Sequence, residues 1–443
     1  MPQAKYGFPK KFLWGTATAG YQVEGGNQNT NWHVWENTPG KILNGNKSGK
    51  ACDWWGGRWK EDLTNAANDG QNAHRFGIEW SRIQPKADRW DESALAYYRE
   101  MLAGMKQLGL ATMLTLHHYT DPIWVVEQGG WQNEKTTDLF AAFTRKVVNS
   151  LGDLVDYWVT INEPFGYMAN AYILCTFPPG EPDMKKVFVG LTNLIQAHAN
   201  AYHIIHEIQP HARVGFAQYY RSLVPAKAWF PPDNWETNLM DHSINRSFPD
   251  ALVDGYARIL IWKKFLPAAM RTMDFFGLNY YSRDLVAFDI TRPKELFRRI
   301  TVPENAILSE NKFIAHVPQA IHDAIKWARR YNLPIYITEN GVEDSKDELR
   351  PRLLIENLHQ VWRAVNFNWN VKGYFHWSQV DNFEWERGWS QRFGLWGLNV
   401  ETQERIRRKS ADVYASICKE NGIHSEMVGK FTPEILPSIF PGF

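Results

Sequence analysis

Short runs rich in β-branched and aromatic residues recur along the chain. Most are followed by a longer stretch whose apolar positions return every three or four residues. The pattern predicts eight strands: 12–17 (FLWGTA), 73–80 (AHRFGIEW), 111–118 (ATMLTLHH), 156–162 (DYWVTIN), 213–219 (RVGFAQY), 274–281 (DFFGLNYY), 334–340 (PIYITEN) and 372–378 (KGYFHWS). Between them, ESALAYYREMLAGMKQLG, TDLFAAFTRKVVNSLG, LTNLIQAHANAYHIIHEI and PRLLIENLHQVWRAVNF read as amphipathic helices. Strand and helix in alternation describe an α/β fold of βα units around a parallel sheet. Eight units predict a single (β/α)8 barrel of the TIM type, one domain over 1–443, with long βα loops walling a site. An open doubly wound sheet competes with it, but no strand here runs into G-x-G-x-x-G or G-x-x-x-x-G-K-[ST]. The Pro-rich stretches 176–183, 223–235 and 289–306 are predicted as long loops after strands.

Composition narrows the partners. Lys and Arg total 49 against 48 Asp and Glu, a formal charge of +1, so no basic field for nucleic acid is expected. Cys52, Cys175 and Cys418 are widely spaced and form no C-x-x-C pair, which argues against a disulfide framework and a zinc site and fits a reducing cytoplasm. The first residues lack an apolar run of signal-peptide length, and no window reaches the roughly 18 apolar residues of a membrane span. An unexported protein without membrane contact is therefore expected.

In a barrel the reacting groups sit where strands end. Read in order, the strand ends offer Arg75, His117 and His118, Asn162 and Glu163, Asn279 with Tyr281, Glu339 and Asn340, then Trp377. An apolar strand runs directly into a carboxylate twice, at VTINEP and YITENG. Two carboxyls facing across a pocket suit glycosidic cleavage: one stays protonated for the leaving oxygen while the other is anionic beside an oxocarbenium-like centre. The stretch GYFHWSQVDNFEWERGWSQRFGL, residues 373–395, crowds tryptophans and phenylalanines with three carboxylates. Unpaired charges are costly in an apolar core, whereas a sugar offers C–H faces for rings and hydroxyls for carboxylates.

The set FLWGTATAGYQVEG, HRFGIEWSRI, TLHHYTDP, TINEP, GLNYYSR, YITENG and the 373–395 stretch resembles glycoside hydrolase family 1, the retaining β-glucosidases and β-galactosidases. The likeness runs from about Phe8 to about Lys419. It implies Glu163 as acid/base and Glu339 as nucleophile, ~5–5.5 Å apart as in retaining enzymes. It also implies Gln22, His118, Asn162, Glu384 and Trp385 on the sugar, Trp377 beneath its ring and Phe393 in the wall. Arg75, Asn279 and Tyr281 would support the nucleophile, Asp381 would fix the loop and Glu386 would lie at the entrance. The family keeps small residues and a cation at Glu384-Trp385 when it cleaves phosphorylated sugars, so a 6-phosphoglycoside is expected to be a poor substrate.

Departures appear at Tyr119, where the family often has Trp, and in the shortened segment QPKADRWDESALAYY. The substrates implied are small β-glycosides or short oligosaccharides, without metal or other cofactor, because the His117-His118 pair lacks a third ligand at ordinary spacing. His198, His203 and His206 and the basic run RIRRKS are expected to be solvated. Asn46 (NKS) and Asn245 (NRS) are expected to be chance matches to a glycosylation pattern. A transglycosylase on the same residues and a non-catalytic glycan-binding relative are the alternatives. Glu163 and Glu339 speak against the second.

Overall fold

The computed structural model describes residues 4–442. Eight parallel strands close on themselves: β1 Leu13–Ala17, β2 Ala73–Gly77, β3 Ala111–His117, β4 Tyr157–Asn162, β5 Val214–Pro225, β6 Phe275–Phe288, β7 Ile335–Asn340 and β8 Val371–Trp377. Each pairs with the next, and β8 returns to β1 with Phe375 opposite Gly15 and Trp377 opposite Ala17. At Gly15 the closure leaves no room for a side chain, since a Cβ would meet the Ala73 carbonyl at 2.6 Å and the Phe375 ring at 2.8 Å.

Helices lie between the strands: α1 Trp59–Asn68, α2 Glu92–Gln107, α3 Thr136–Leu151, α4 Pro164–Tyr172, which lines the mouth, α5 Met184–Ile208, α6 Pro231–Met240, α7 Gln319–Ala328, α8 Arg350–Asn366 and, after β8, α9 Lys409–Glu420. Two of them open on a side-chain cap. Asp91 accepts from the backbone N–H of Ser93 and Ala94 to open α2, and Asp183 accepts from those of Lys185 and Lys186 to open α5. The inward stripes join the strands in one continuous core in which Trp14, Trp32, Trp54, Trp80 and Trp158 are fully buried.

All eight predicted strands form, with two corrections of length. β5 and β6 extend beyond the barrel mouth to Pro225 and Phe288 because they pair with each other along the extension, Pro225 opposite Val286. The predicted loop 289–306 therefore carries a further strand, Arg298–Thr301, antiparallel to β6, and the predicted loop 223–235 begins as strand and ends inside α6.

Two groups expected in solvent, His198 and the RIRRKS run, are held inside at least in part, and Asn245 of the NRS pattern is buried too. His198 is fully buried, bonded through Nδ1 to the Thr160 hydroxyl at 2.6 Å and through Nε2 to the Thr272 carbonyl at 2.6 Å. Arg405 of the RIRRKS run is buried on Asp62, and Arg408 forks onto Asp381 at 2.7 and 2.9 Å. Asn245 is buried, its side chain bonded to both backbone groups of Arg221.

The Asp62 pair ties α1 to the segment after β8, near the seam where β8 meets β1. Asp62 accepts from Arg405 Nε and Nη2 at 2.9 Å each and from the Trp54 indole at 2.7 Å. Removing one partner leaves an uncompensated buried charge. Asp62→Ala is expected to lower the unfolding free energy by about 3–5 kcal/mol, read as a lower urea midpoint. Asp62→Ala combined with Arg405→Met should recover part of that loss, and a wild-type midpoint for Asp62→Ala would contradict it.

Candidate active site

The chain reverses at the end of β4, where Glu163 takes a left-handed conformation with φ 45° and ψ 58° and Pro164 begins α4. Proline disfavours the α region for the residue before it and suits the first helical position. A non-glycine residue here costs about 1–2 kcal/mol, and the Glu163 N–H offsets part of it by bonding to the Ala217 carbonyl of β5 at 2.8 Å. The turn places the carboxyl at the barrel mouth. Glu339 reaches the same mouth from β7, one residue before the strand ends.

Around them lies a cavity of about 360 Å³. Of the predicted site residues, His118, Asn162, Glu163, Tyr281, Glu339, Trp377, Glu384, Trp385 and Phe393 line it. Arg75, Asn279 and Gln22 stand behind this wall and hold members of it. Arg75, fully buried, donates through Nη1 to Glu339 Oε1 at 2.6 Å and to the Thr338 carbonyl at 3.2 Å. Its Nη2 reaches Asn162 Oδ1 at 2.7 Å and its Nε reaches the Thr115 hydroxyl at 3.2 Å. The Tyr281 hydroxyl donates to Glu339 Oε2 at 2.8 Å. Asn279 donates to Glu163 Oε1 at 2.7 Å and to Asn162 Oδ1 at 3.1 Å.

The opposite wall comes from the loop after β8. Asp381 pins it by accepting from the backbone N–H of Gly394 at 2.9 Å and of Leu398 at 3.3 Å. A Cβ on Gly394 would meet the Asp381 nitrogen at 2.2 Å, so glycine permits that approach. Gln22, in the turn after β1, donates to Glu384 Oε2 at 3.2 Å and to the Phe383 carbonyl at 2.9 Å. Its buried Oε1 has no partner in the protein. Trp385 packs on Trp32 with ring centroids 4.7 Å apart and on His118 at 5.9 Å, while Phe393 lies edge-on to Tyr281 at 6.2 Å. Glu386 is partly exposed beside Arg387 and lines the cavity.

The electrostatics separate the two carboxyls. Burial raises the proton affinity of both, and for Glu163 the charge of Glu339 adds to it, pushing its pKa up to about 7. At Glu339 the Arg75 cation and two hydrogen-bond donors oppose burial. Glu163 meets no guanidinium at contact distance, so it is the group that keeps a shared proton. Burial, aided by Arg75, holds the His118 imidazole well below its ordinary value and hence neutral. With Asn162 Nδ2 donating to His118 Nε2 at 3.0 Å, the ring proton is on Nδ1. Burial and the charges of Glu386 and Glu339 push the Glu384 carboxyl up.

Further lining residues escaped the sequence reading. Tyr119 entered it only as a departure, yet its hydroxyl donates to Glu163 Oε2. Tyr219 and Arg221 from β5 and Asp284 from β6 also line the cavity. Their signal was the length of β5 and β6, which alternation over seven residues did not reveal. Asp121, four residues after His117, bonds His117 at 3.0 Å and takes the Trp131 and Tyr167 donors, a buried packing cluster. Among the described residues no group of three or more His, Cys, Asp or Glu side chains is arranged to hold a metal ion.

Residues 4–423 match the glycosyl hydrolase family 1 profile. The chain belongs to glycosyl hydrolase family 1. Among family 1 relatives, β-glucosidase A of Thermotoga maritima is 32% identical over 94% of this chain and 98% of its own. A β-glycosidase from Pyrococcus horikoshii superposes with a TM-score of 0.90, at 32% identity over 97% of this chain and 98% of that one. The T. maritima β-glucosidase solved in complex with glucoimidazole gives 0.88, at 31% identity over 94% and 100%. This family 1 chain is a glycoside hydrolase on the same barrel.

The raised affinity of Glu163 is directly observable. pH-difference infrared spectra should show a protonated carboxyl that ionises as pH rises through about 7 and is missing in Glu163→Gln. Ionisation of every site carboxyl below pH 5 would contradict the asymmetry.

Proposed function

We propose that this chain is a retaining β-glycosidase that hydrolyses terminal non-reducing β-D-glucosyl residues, with β-galactosyl and β-fucosyl residues as secondary substrates. The unequal dressing of the two carboxyls carries the reading. Glu339 is held by Arg75 and Tyr281, donors that stabilise an anion, while Glu163 is buried without a cation and binds its proton up to about pH 7. A nucleophile must be ionised and a general acid protonated at the same pH.

In the first step Glu339 attacks the anomeric carbon as the glycosidic C–O bond breaks, and the Glu163 proton passes to the leaving oxygen. The aglycone departs as an alcohol and the sugar stays as an ester of Glu339. In the second, water gives a proton to the now ionised Glu163 and its oxygen to the anomeric carbon, releasing Glu339. Two displacements retain the β configuration. Trp377 supplies the floor for the sugar ring, and Glu384, His118 and Asn162 face its hydroxyls with Gln22 behind Glu384. Trp385 and Phe393 complete the wall.

The glucosidase name of the T. maritima relative, and its complex with glucoimidazole, support a glucoside substrate. Small β-glycosides and short oligosaccharides are the partners that a cavity of about 360 Å³ supports. A cytoplasmic location is supported by three cysteines that stand unpaired. No helix among the described residues is long and apolar enough to cross a membrane.

Glu339→Gln keeps an acceptor for Arg75 and removes the nucleophile. Turnover of an aryl β-glucoside should fall at least about a thousandfold with an unchanged circular dichroism spectrum. Proton NMR of the wild-type reaction should show β-glucose before mutarotation; α-glucose first would reverse the residue roles. A phosphate on the 6-hydroxyl would face Glu384 with Glu386 and Glu339 nearby. A 6-phosphoglucoside should therefore show a kcat/KM at least about tenfold below the plain glucoside, roughly 1.4 kcal/mol, because a carboxyl cluster already short of countercharge disfavours a further anion.

A further inference from the structure

We propose that Tyr119 is a positioning residue for the acid/base, holding Oε2 of Glu163 and making that oxygen the one that gives and takes the catalytic proton. This inference rests on the role of Glu163 proposed above.

The argument starts at Arg75, which can only donate. Its Nη2 therefore meets the oxygen of Asn162, and the group of Asn279 that also meets that oxygen at 3.1 Å must be its NH2. The same NH2 lies 2.7 Å from Glu163 Oε1, while Asn279 Oδ1 accepts from the Thr338 hydroxyl at 2.7 Å. Oε1 thus always faces a donor, which disfavours a proton there because a protonated oxygen is the weaker acceptor. The proton is left to Oε2, which faces the Tyr119 hydroxyl. A phenol can donate to an ionised Oε2 and accept from a protonated one, so it serves both half-reactions without moving its ring.

The ring is held for this task. Tyr119 is 5% exposed, packed between Trp385 at 5.2 Å and Phe177 at 5.3 Å. Its backbone sits at φ 69°, with the carbonyl taking the Trp32 indole N–H at 3.1 Å. Such a left-handed residue just past β3 turns the side chain toward β4, where Glu163 begins its own turn.

Other titratable groups share the cavity with Glu163 or act on it: Arg75 from β2, the neutral His118 beside Tyr119, Tyr219 and Arg221 from β5, Tyr281 and Asp284 from β6, Glu339 from β7, and Glu384 and Glu386 from the loop after β8. Burial and Glu339 raise the Glu163 pKa to about 7, and the Tyr119 hydrogen bond acts against them. Loss of the hydroxyl therefore favours the protonated acid.

The test is the pH profile of kcat/KM for an aryl β-glucoside, whose basic limb reports the acid in the free enzyme. Tyr119→Phe should move that limb upward by about one to two pH units, the size of one hydrogen bond to a charged group. Replacing Tyr119 with 3-fluorotyrosine, a stronger donor of nearly the same shape, should move it downward. Opposite shifts support the assignment; a limb unmoved in the fluorotyrosine protein, or shifted down in Tyr119→Phe, overturns it. Should Tyr119→Phe not fold, the fluorotyrosine shift decides alone. Glu163→Gln is the separate check on the underlying role: wild-type activity and an intact basic limb there would remove Glu163 as the acid, whatever Tyr119 does.

Discussion

The guanidinium of Arg75 makes four hydrogen bonds at the centre of the barrel mouth, to Thr115 on β3, Asn162 on β4, and both Thr338 and Glu339 on β7. A buried cation of this kind is tolerated only when its partners satisfy it fully, because desolvation otherwise exceeds the Coulombic gain. The requirement organises the neighbourhood. It aims Glu339, sets the amide of Asn162, and through Asn162 sets that of Asn279, which meets Glu163 in turn. One donor-only group thus fixes the direction of a polar chain running from the second strand to the sixth.

From that chain follows the division of labour between the carboxyls. Both are buried, and burial alone would raise both. The difference lies in what each touches: a guanidinium and a phenol for Glu339, an amide and a phenol for Glu163. The barrel supplies this asymmetry because β2 lies next to β1 and β3 in the sheet yet points its arginine across the mouth to β7. An open sheet would leave those two strands far apart. Closure is therefore an electrostatic matter as much as a packing one, and Gly15 and Gly394 mark where backbones and rings approach to make it possible.

The loop after β8 resolves its mixture of rings and charges in the same manner. Asp381 faces inward to Arg408 and two backbone donors, while Trp377, Glu384, Trp385 and Phe393 face the cavity. The carboxyl that holds the loop and the carboxyl that meets the cavity are three residues apart.

The sequence was sufficient for whatever depends on neighbours along the chain. Eight strands, the helices between them, the two strand-end glutamates and the aromatic loop all follow from local periodicity and from residue types at strand termini. The extensions of β5 and β6 did not, because their stability comes from pairing with one another and not from alternation within either. Nor did the burial of His198 and Arg405, whose partners Thr160, Thr272 and Asp62 lie 38 to 343 residues away. Tyr119 and Glu163, 44 residues apart, meet only because β3 and β4 lie side by side in register. Which groups carry chemistry was written in the order of residues. Which group each one faces was decided by barrel closure, since only closure sets the distances over which hydrogen bonds and charges act.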